Sequence, residues 1–192
     1  MTNPSPRRGL ALGASAIALL LTSIASPALA VDSVTQTITG GGLTASIGDL
    51  NFPDAAYQNG EHTVAGTMVL TAADDTGTSS GWKVTVMTSD FVWAGSAVGG
   101  QNIPANAFAL TSAGAAVMIS GQAVGVAAAT GPQVPPTSPI GTLDTPRQVL
   151  YATAAYGAGT YSQALNVTLT IPALSRVGTY TGTLTTTITA AP

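Results

Sequence analysis

The chain has no cysteine. That excludes a disulfide framework, a thiolate metal site and a lipidated-cysteine anchor. His62 is the single histidine, so a multi-histidine metal centre is impossible, and a Ser-His-Asp arrangement would have to be built on that one residue. Charge is scarce: 7% of the 192 residues are charged, and five are basic. Nucleic-acid binding needs a basic footprint to displace counterions, so that class is excluded. No P-loop or D-x-[DN]-x-[DN]-G calcium loop is present. There is no long amphipathic helical pattern and no internal repeat. Residues 107–130 are apolar enough to suggest a span, but Ser112, Ser120 and Gln122 interrupt them. These absences predict no catalytic residue, no metal, no cofactor and no enzyme activity.

The N-terminus carries a positive signal. Arg7 and Arg8 precede an apolar run from Gly9 to Ile24, and Ser26-Pro27-Ala28-Leu29-Ala30 closes it with small residues in the A-x-A pattern. This is the form of a secretory signal peptide over 1–30, cut after Ala30. The paired arginines fit either the general or the twin-arginine export route. Residues 31–192 are then expected to form one domain. Losing Arg7 and Arg8 moves the net charge from −3 to −5, with Lys83, Arg147 and Arg176 the remaining cations. That charge disfavours long-range attraction to an anionic membrane or an acidic wall polymer. The end at Pro192, without a hydrophobic tail or basic cluster, predicts that nothing covalent anchors the chain and that no membrane holds it after signal cleavage.

The apolar rhythm has a period of two. Leu165, Val167, Leu169 and Ile171 share one face, and Asn166, Thr168 and Thr170 the other, which is a half-buried strand. Burying four such side chains contributes roughly 1.5–3 kcal/mol each before entropy is counted. Pro172 ends the ladder, having no N–H to donate. Trp82, Val84 and Val86 alternate with Lys83, Thr85 and Met87, and Val64, Met68 and Leu70 share a face across Gly66. A last strand runs from about Gly178 to Thr189. Further strands are expected at Ser33–Thr39, Leu43–Leu50, Phe108–Thr111, Val117–Gln122 and Gln148–Ala152. Gly40-Gly41-Gly42 and Asp74-Asp75-Thr76-Gly77 read as turns, and Pro132 to Pro146 as a surface loop. The sum predicts an all-β, antiparallel sandwich of roughly eight to ten strands.

With so little charge, a ligand is best held by stacking and neutral hydrogen bonds, which suits sugars. The two tryptophans separate. Trp82 alternates with Val84 and Val86 and reads first as core. Trp93 follows Asp90-Phe91-Val92 and precedes a Gly/Ser loop, where packing and ligand contact are equally open. Asp74 and Asp75, with Asp54 or Asp90, are the carboxylates a calcium ion would use, though plain turn chemistry explains the pair as well.

The order of segments is similar to a known family. Gly81-Trp82-Lys83-Val84-Thr85-Val86 is followed by Ser89-Asp90-Phe91 and by Asn102-Ile103-Pro104-Ala105-Asn106-Ala107-Phe108. Leu165 to Pro172 then leads into Gly178-Thr179-Tyr180-Thr181-Gly182-Thr183-Leu184 and Thr185-Thr186-Thr187-Ile188. This resembles the WxL-domain surface proteins of Gram-positive bacteria, from about residue 33 to the end. The resemblance implies an exported, β-rich domain in non-covalent association with peptidoglycan. The family has two Trp-x-Leu motifs. Here the first is Trp82-Lys83-Val84, and the second is Thr186-Thr187-Ile188, with Thr replacing Trp. The missing indole removes a large apolar contact surface.

The expected function is therefore that of a secreted, non-enzymatic protein of the cell wall and cell surface. Peptidoglycan or another wall glycan is the expected partner, and other surface proteins are further ones. Trp82, Trp93 and Tyr180 are the candidate ligand-binding residues. Two alternatives stand beside this reading. One is a structural protein that self-associates through strand edges. The other is a secreted carbohydrate-active enzyme, whose two carboxylates would have to come from Asp74, Asp75, Asp90 or Asp144.

Overall fold

A computed structural model describes residues 35–95, 102–124, 131–137 and 139–191. The expected signal peptide over 1–30 lies outside the described residues. The chain divides into two units, Met1–Thr37 and Ile38–Pro192. The larger unit is all-β, with antiparallel pairing throughout.

Its strands are β1 (Leu43–Ile47), β2 (His62–Asp74), β3 (Trp82–Thr88), β4 (Val92–Trp93), β5 (Phe108–Ala113), β6 (Val117–Gly121), β7 (Gly141–Thr142), β8 (Arg147–Ala152), β9 (Gly159–Ile171), β10 (Tyr180–Thr181) and β11 (Leu184–Ala190). The eleven strands among the described residues exceed the expected number because three of them, β4, β7 and β10, have only two residues and too little sequence to show a period. A six-stranded sheet has the order β1-β2-β9-β5-β7, with β6 also pairing β9. A three-stranded sheet, β11-β3-β8, packs over it, and β10-β4 forms a small ribbon.

The long strand β9 centres the larger sheet. It pairs with all of β2, from His62↔Ile171 to Asp74↔Gly159. This register sets Met68 against Leu165 and Leu70 against Gln163 on the inner face. Thr63, Thr67, Asn166 and Thr168 point outward. From the other sheet Trp82, Val84 and Val86 point in, all buried. An extra residue on β8 between the partners of Val84 and Thr85 lets both Val149 and Leu150 turn into the core, as a bulge does. Gln163 crosses the interior. Its Nε2 donates to the Gly114 carbonyl at 2.9 Å and the Val149 carbonyl at 3.0 Å, tying the two sheets together. Its Oε1 is buried without a partner, at a cost of about 1–3 kcal/mol.

Three sequence expectations change. The last strand breaks into β10 and β11 at Gly182-Thr183, where the Thr183 carbonyl accepts from Ser89 N and Thr183 N donates to Ser89 Oγ. Within the expected strand Ser33–Thr39, the described residues Thr35–Thr39 are in no strand and are exposed. The proline-rich 132–146 stretch, read as a loop, contains β7 and a bridge from Gln133 to Tyr151.

Tyr161, fully buried on β9, tilts against Trp82 with ring centroids 6.2 Å apart. Its hydroxyl lies 2.9 Å from the Gln122 carbonyl and 3.0 Å from that of Ala158, sharing one proton between them. Burial first, and the Asp74 carboxylate second, push the phenol pKa above its ordinary 10.0. The native state thus holds this proton more tightly than the unfolded chain. The resulting stability is whole below about pH 10 and is lost as the pH rises through the native pKa, by up to about 1.4 kcal/mol per pH unit. Urea unfolding at about pH 9 and about pH 11 is expected to show a steeper alkaline loss in the wild type than in Tyr161→Phe. Equal losses in the two proteins would contradict it.

Candidate functional site

The chain leaves β1 and crosses one end of the sandwich as an extended strap, Leu50–Gln58, in no regular structure. It is kept there by packing. Leu50 and Phe52 lie over Gly66 of β2, where an added Cβ would stand 3.0 Å from Leu50 Cδ1 and 3.1 Å from Phe52 Cε1. The gap that Gly66 leaves in the apolar face of β2 is therefore filled by the strap. Phe52 also meets Phe108 edge-on at 5.9 Å, and Phe91 meets Phe108 at 5.5 Å.

Opposite the strap runs the loop between β9 and β10. Pro172 ends β9, and the Pro172 carbonyl accepts from Ser175 Oγ at 2.7 Å. Leu174 takes φ 62°, a left-handed conformation in a non-glycine residue, which costs about 1–2 kcal/mol. Such strain persists where the surroundings enforce it and clusters at binding sites. Leu174 and Val177 stand 62% and 79% exposed on this loop.

Strap and loop enclose a groove of about 730 Å³, whose walls include Tyr57, His62, Arg176 and Tyr180 and which Phe91 and Ile103 also line. A second cavity of about 510 Å³ adjoins it, with Leu50, Phe52, Phe91 and Gly182 common to both. Both ring nitrogens of His62, a groove-lining residue, are buried without a hydrogen-bond partner.

The three predicted ligand residues have different fates. Trp82 is 0% exposed and donates from Nε1 to the Gly157 carbonyl at 3.0 Å. It is a core residue with no surface for a ligand, which removes it from the ligand-contacting set. Trp93 and Tyr180 are brought together as directly paired residues of β4 and β10. Tyr180 lines the groove, and its hydroxyl donates to the Arg176 carbonyl at 3.0 Å. Trp93 works on the loop instead. Its Nε1 donates to the Val177 carbonyl at 3.3 Å, and the Arg176 guanidinium lies over its ring, 5.4 Å from the centroid. Gly178, at φ 143°, passes so close that a Cβ there would be 2.5 Å from Trp93 Nε1. Trp93 is thus a support for the loop, and one face of its indole is already taken. Sequence reading missed Tyr57, Arg176 and the strap. Their only signal was an aromatic and a lone cation in turn-rich stretches.

Three of the carboxylates considered for calcium or acid-base chemistry are engaged in local structure. Asp74 Oδ1 accepts from Thr76 N at 3.0 Å and Thr76 Oγ1 at 2.7 Å. Asp90 Oδ1 accepts from Ala105 N at 2.8 Å, and Asp144 Oδ1 from Thr142 Oγ1 at 2.7 Å. Among the described residues, no three His, Asp or Glu side chains converge as a metal site would require.

The two motif-like stretches are neighbours in space. Strands β3 and β11 pair so that Ile188 faces Val84 and Thr186 faces Val86. No family model matches the chain, and no curated protein or solved structure matches it either.

Proposed function

We propose that this chain is an exported, non-enzymatic surface protein of the WxL type that associates non-covalently with the cell wall, with peptidoglycan as its ligand. The observation that carries the reading is the groove between strap and loop, with Tyr57 and Tyr180 in its walls and few charges. A glycan offers apolar C–H faces, which stack on aromatic rings, and hydroxyls, which suit neutral donors and acceptors. The exposed Leu174 and Val177 extend the apolar rim. The adjacency of the two motif-like stretches on β3 and β11 is consistent with the WxL resemblance. Arg176 lines the groove and stands over Trp93, so it places a cation beside any anionic group on such a ligand.

A pull-down of the chain from Val31 onward with purified peptidoglycan tests this. Retention well above a control protein of similar size and charge is expected. Retention no greater than the control, with and without calcium, would overturn the reading.

A further inference from the structure

On the reading of the groove as the ligand site, we propose that the strap is a displaceable cover and that His62 selects the ligand. Once the strap lifts, the two ring nitrogens of His62 bond to a donor and an acceptor on the sugar units of the glycan.

His62 is costly as it stands. It opens β2 opposite Ile171 and shares the inner face with Val64. A neutral imidazole has one donor and one acceptor. Here both ring nitrogens are shut off from solvent, with no partner among the described residues. An apolar side chain in this position would complete the surface that Val64, Leu169 and Ile171 give the groove, without leaving polar atoms unmet. Buried polar groups in native proteins are nearly always satisfied, and a partner that arrives with the ligand accounts for this exception. A sugar has the matching chemistry. Its hydroxyl and acetamido groups set uncharged donors and acceptors close together, and its C–H faces suit the apolar walls.

The nitrogens are reached only if a wall moves, and one wall is built to move. Fourteen residues separate β1 from β2, and segments longer than about 12 residues without regular structure are uncommon and usually functional. Leu50–Gln58 makes no hydrogen bond to the other described residues, and every residue from Pro53 to Gly60 is exposed. Leu50 and Phe52 over Gly66, with Phe52 against Phe108, keep the strap down. The facing loop is tied by hydrogen bonds. The Val177 and Arg176 carbonyls accept from Trp93 and Tyr180, and Ala94 N donates to the Thr179 carbonyl at 2.9 Å. Segments with few buried contacts and few hydrogen bonds open first. Leu50 and Phe52 line both the groove and the adjoining cavity, so lifting them joins the two.

Two sets of variants test this. The first needs no ligand, because the chain has no native cysteine. Met68→Cys puts a thiol in the cavity that Leu50 and Phe52 line, at a residue 2% exposed. Val149→Cys puts one in the core outside both cavities. Without denaturant, the Met68→Cys thiol should react with a maleimide about tenfold or more faster than its chain unfolds, and faster still with Phe52→Ala added. The Val149→Cys thiol should wait for global unfolding.

The second set uses a soluble tetramer of N-acetylglucosamine in calorimetric titration. His62→Leu should weaken its binding by about tenfold or more and yet raise the urea midpoint, since two unmet polar atoms are gone. His62→Gln keeps a donor and an acceptor and should recover part of the binding. A merely structural histidine would not move affinity and stability in opposite directions. A Met68→Cys thiol that waits for global unfolding, a midpoint that falls in His62→Leu, or equal binding of the tetramer by His62→Leu and the wild type would each overturn the proposal. A wild type retained on peptidoglycan but indifferent to the tetramer would overturn it and leave the wall reading standing. Binding of the tetramer without retention on peptidoglycan would support it and overturn the wall reading.

Discussion

Trp82→Ala is expected to lower unfolding stability by about 3–5 kcal/mol. This is the largest effect of any single substitution foreseen here. The indole is fully buried between the sheets, against Tyr161, and its only polar atom is satisfied by the Gly157 carbonyl. Removing it leaves a cavity in the centre of the core and an orphaned carbonyl in one step. A domain of this size has about 5–15 kcal/mol in total, so the loss is a large share of its stability. Trp82→Phe keeps most of the apolar volume and should cost much less. The difference between the two separates cavity from hydrogen bond. Urea denaturation followed by circular dichroism gives both values. A loss below about 1 kcal/mol for the alanine variant would mean that the core does not depend on this ring.

The second large effect is on binding. If the groove holds peptidoglycan, Tyr180→Ala should weaken retention by about tenfold or more, the size expected when an aromatic anchor is cut from a buried patch. Tyr180→Phe distinguishes the two roles of the residue. It keeps the ring in the groove and loses only the tether to the Arg176 carbonyl, so it should bind better than the alanine variant. Tyr57→Ala, on the exposed strap, tests the opposite wall without touching the ribbon of β4 and β10. Trp93→Ala should also weaken binding, by releasing Val177 and Arg176 rather than by loss of a direct contact. Thr63→Ala, on the outer face of the larger sheet, serves as the control. Equal retention of all these proteins in a wall co-sedimentation assay would remove the groove from the account while leaving the fold untouched.

The choice of aromatics illustrates what a linear reading can rank and what it cannot. Trp82 was legible as core because its neighbours at two-residue spacing are Val84 and Val86. Trp93 was legible as unusual because it stands before a Gly/Ser loop, whereas Tyr180 was named as a candidate from within the expected last strand. That they are paired residues on one ribbon was not legible, because they are far apart in sequence and each strand contributes only two residues. The strap was also missed. Its residues from Leu50 to Gln58 carry no period, and what holds them is a gap at Gly66 on a different strand.

The sequence by itself determined the class of this protein. A period of two writes which side of each extended segment is apolar, and the near absence of charge, cysteine and histidine removes whole chemistries. Only the tertiary structure decided which segments border the groove and that Trp82 is sealed away from it. The reason is physical. Alternation is a property of neighbours in the chain, whereas a cavity, an uncovered edge and a shared hydrogen bond arise between residues that meet only after the sheets have packed.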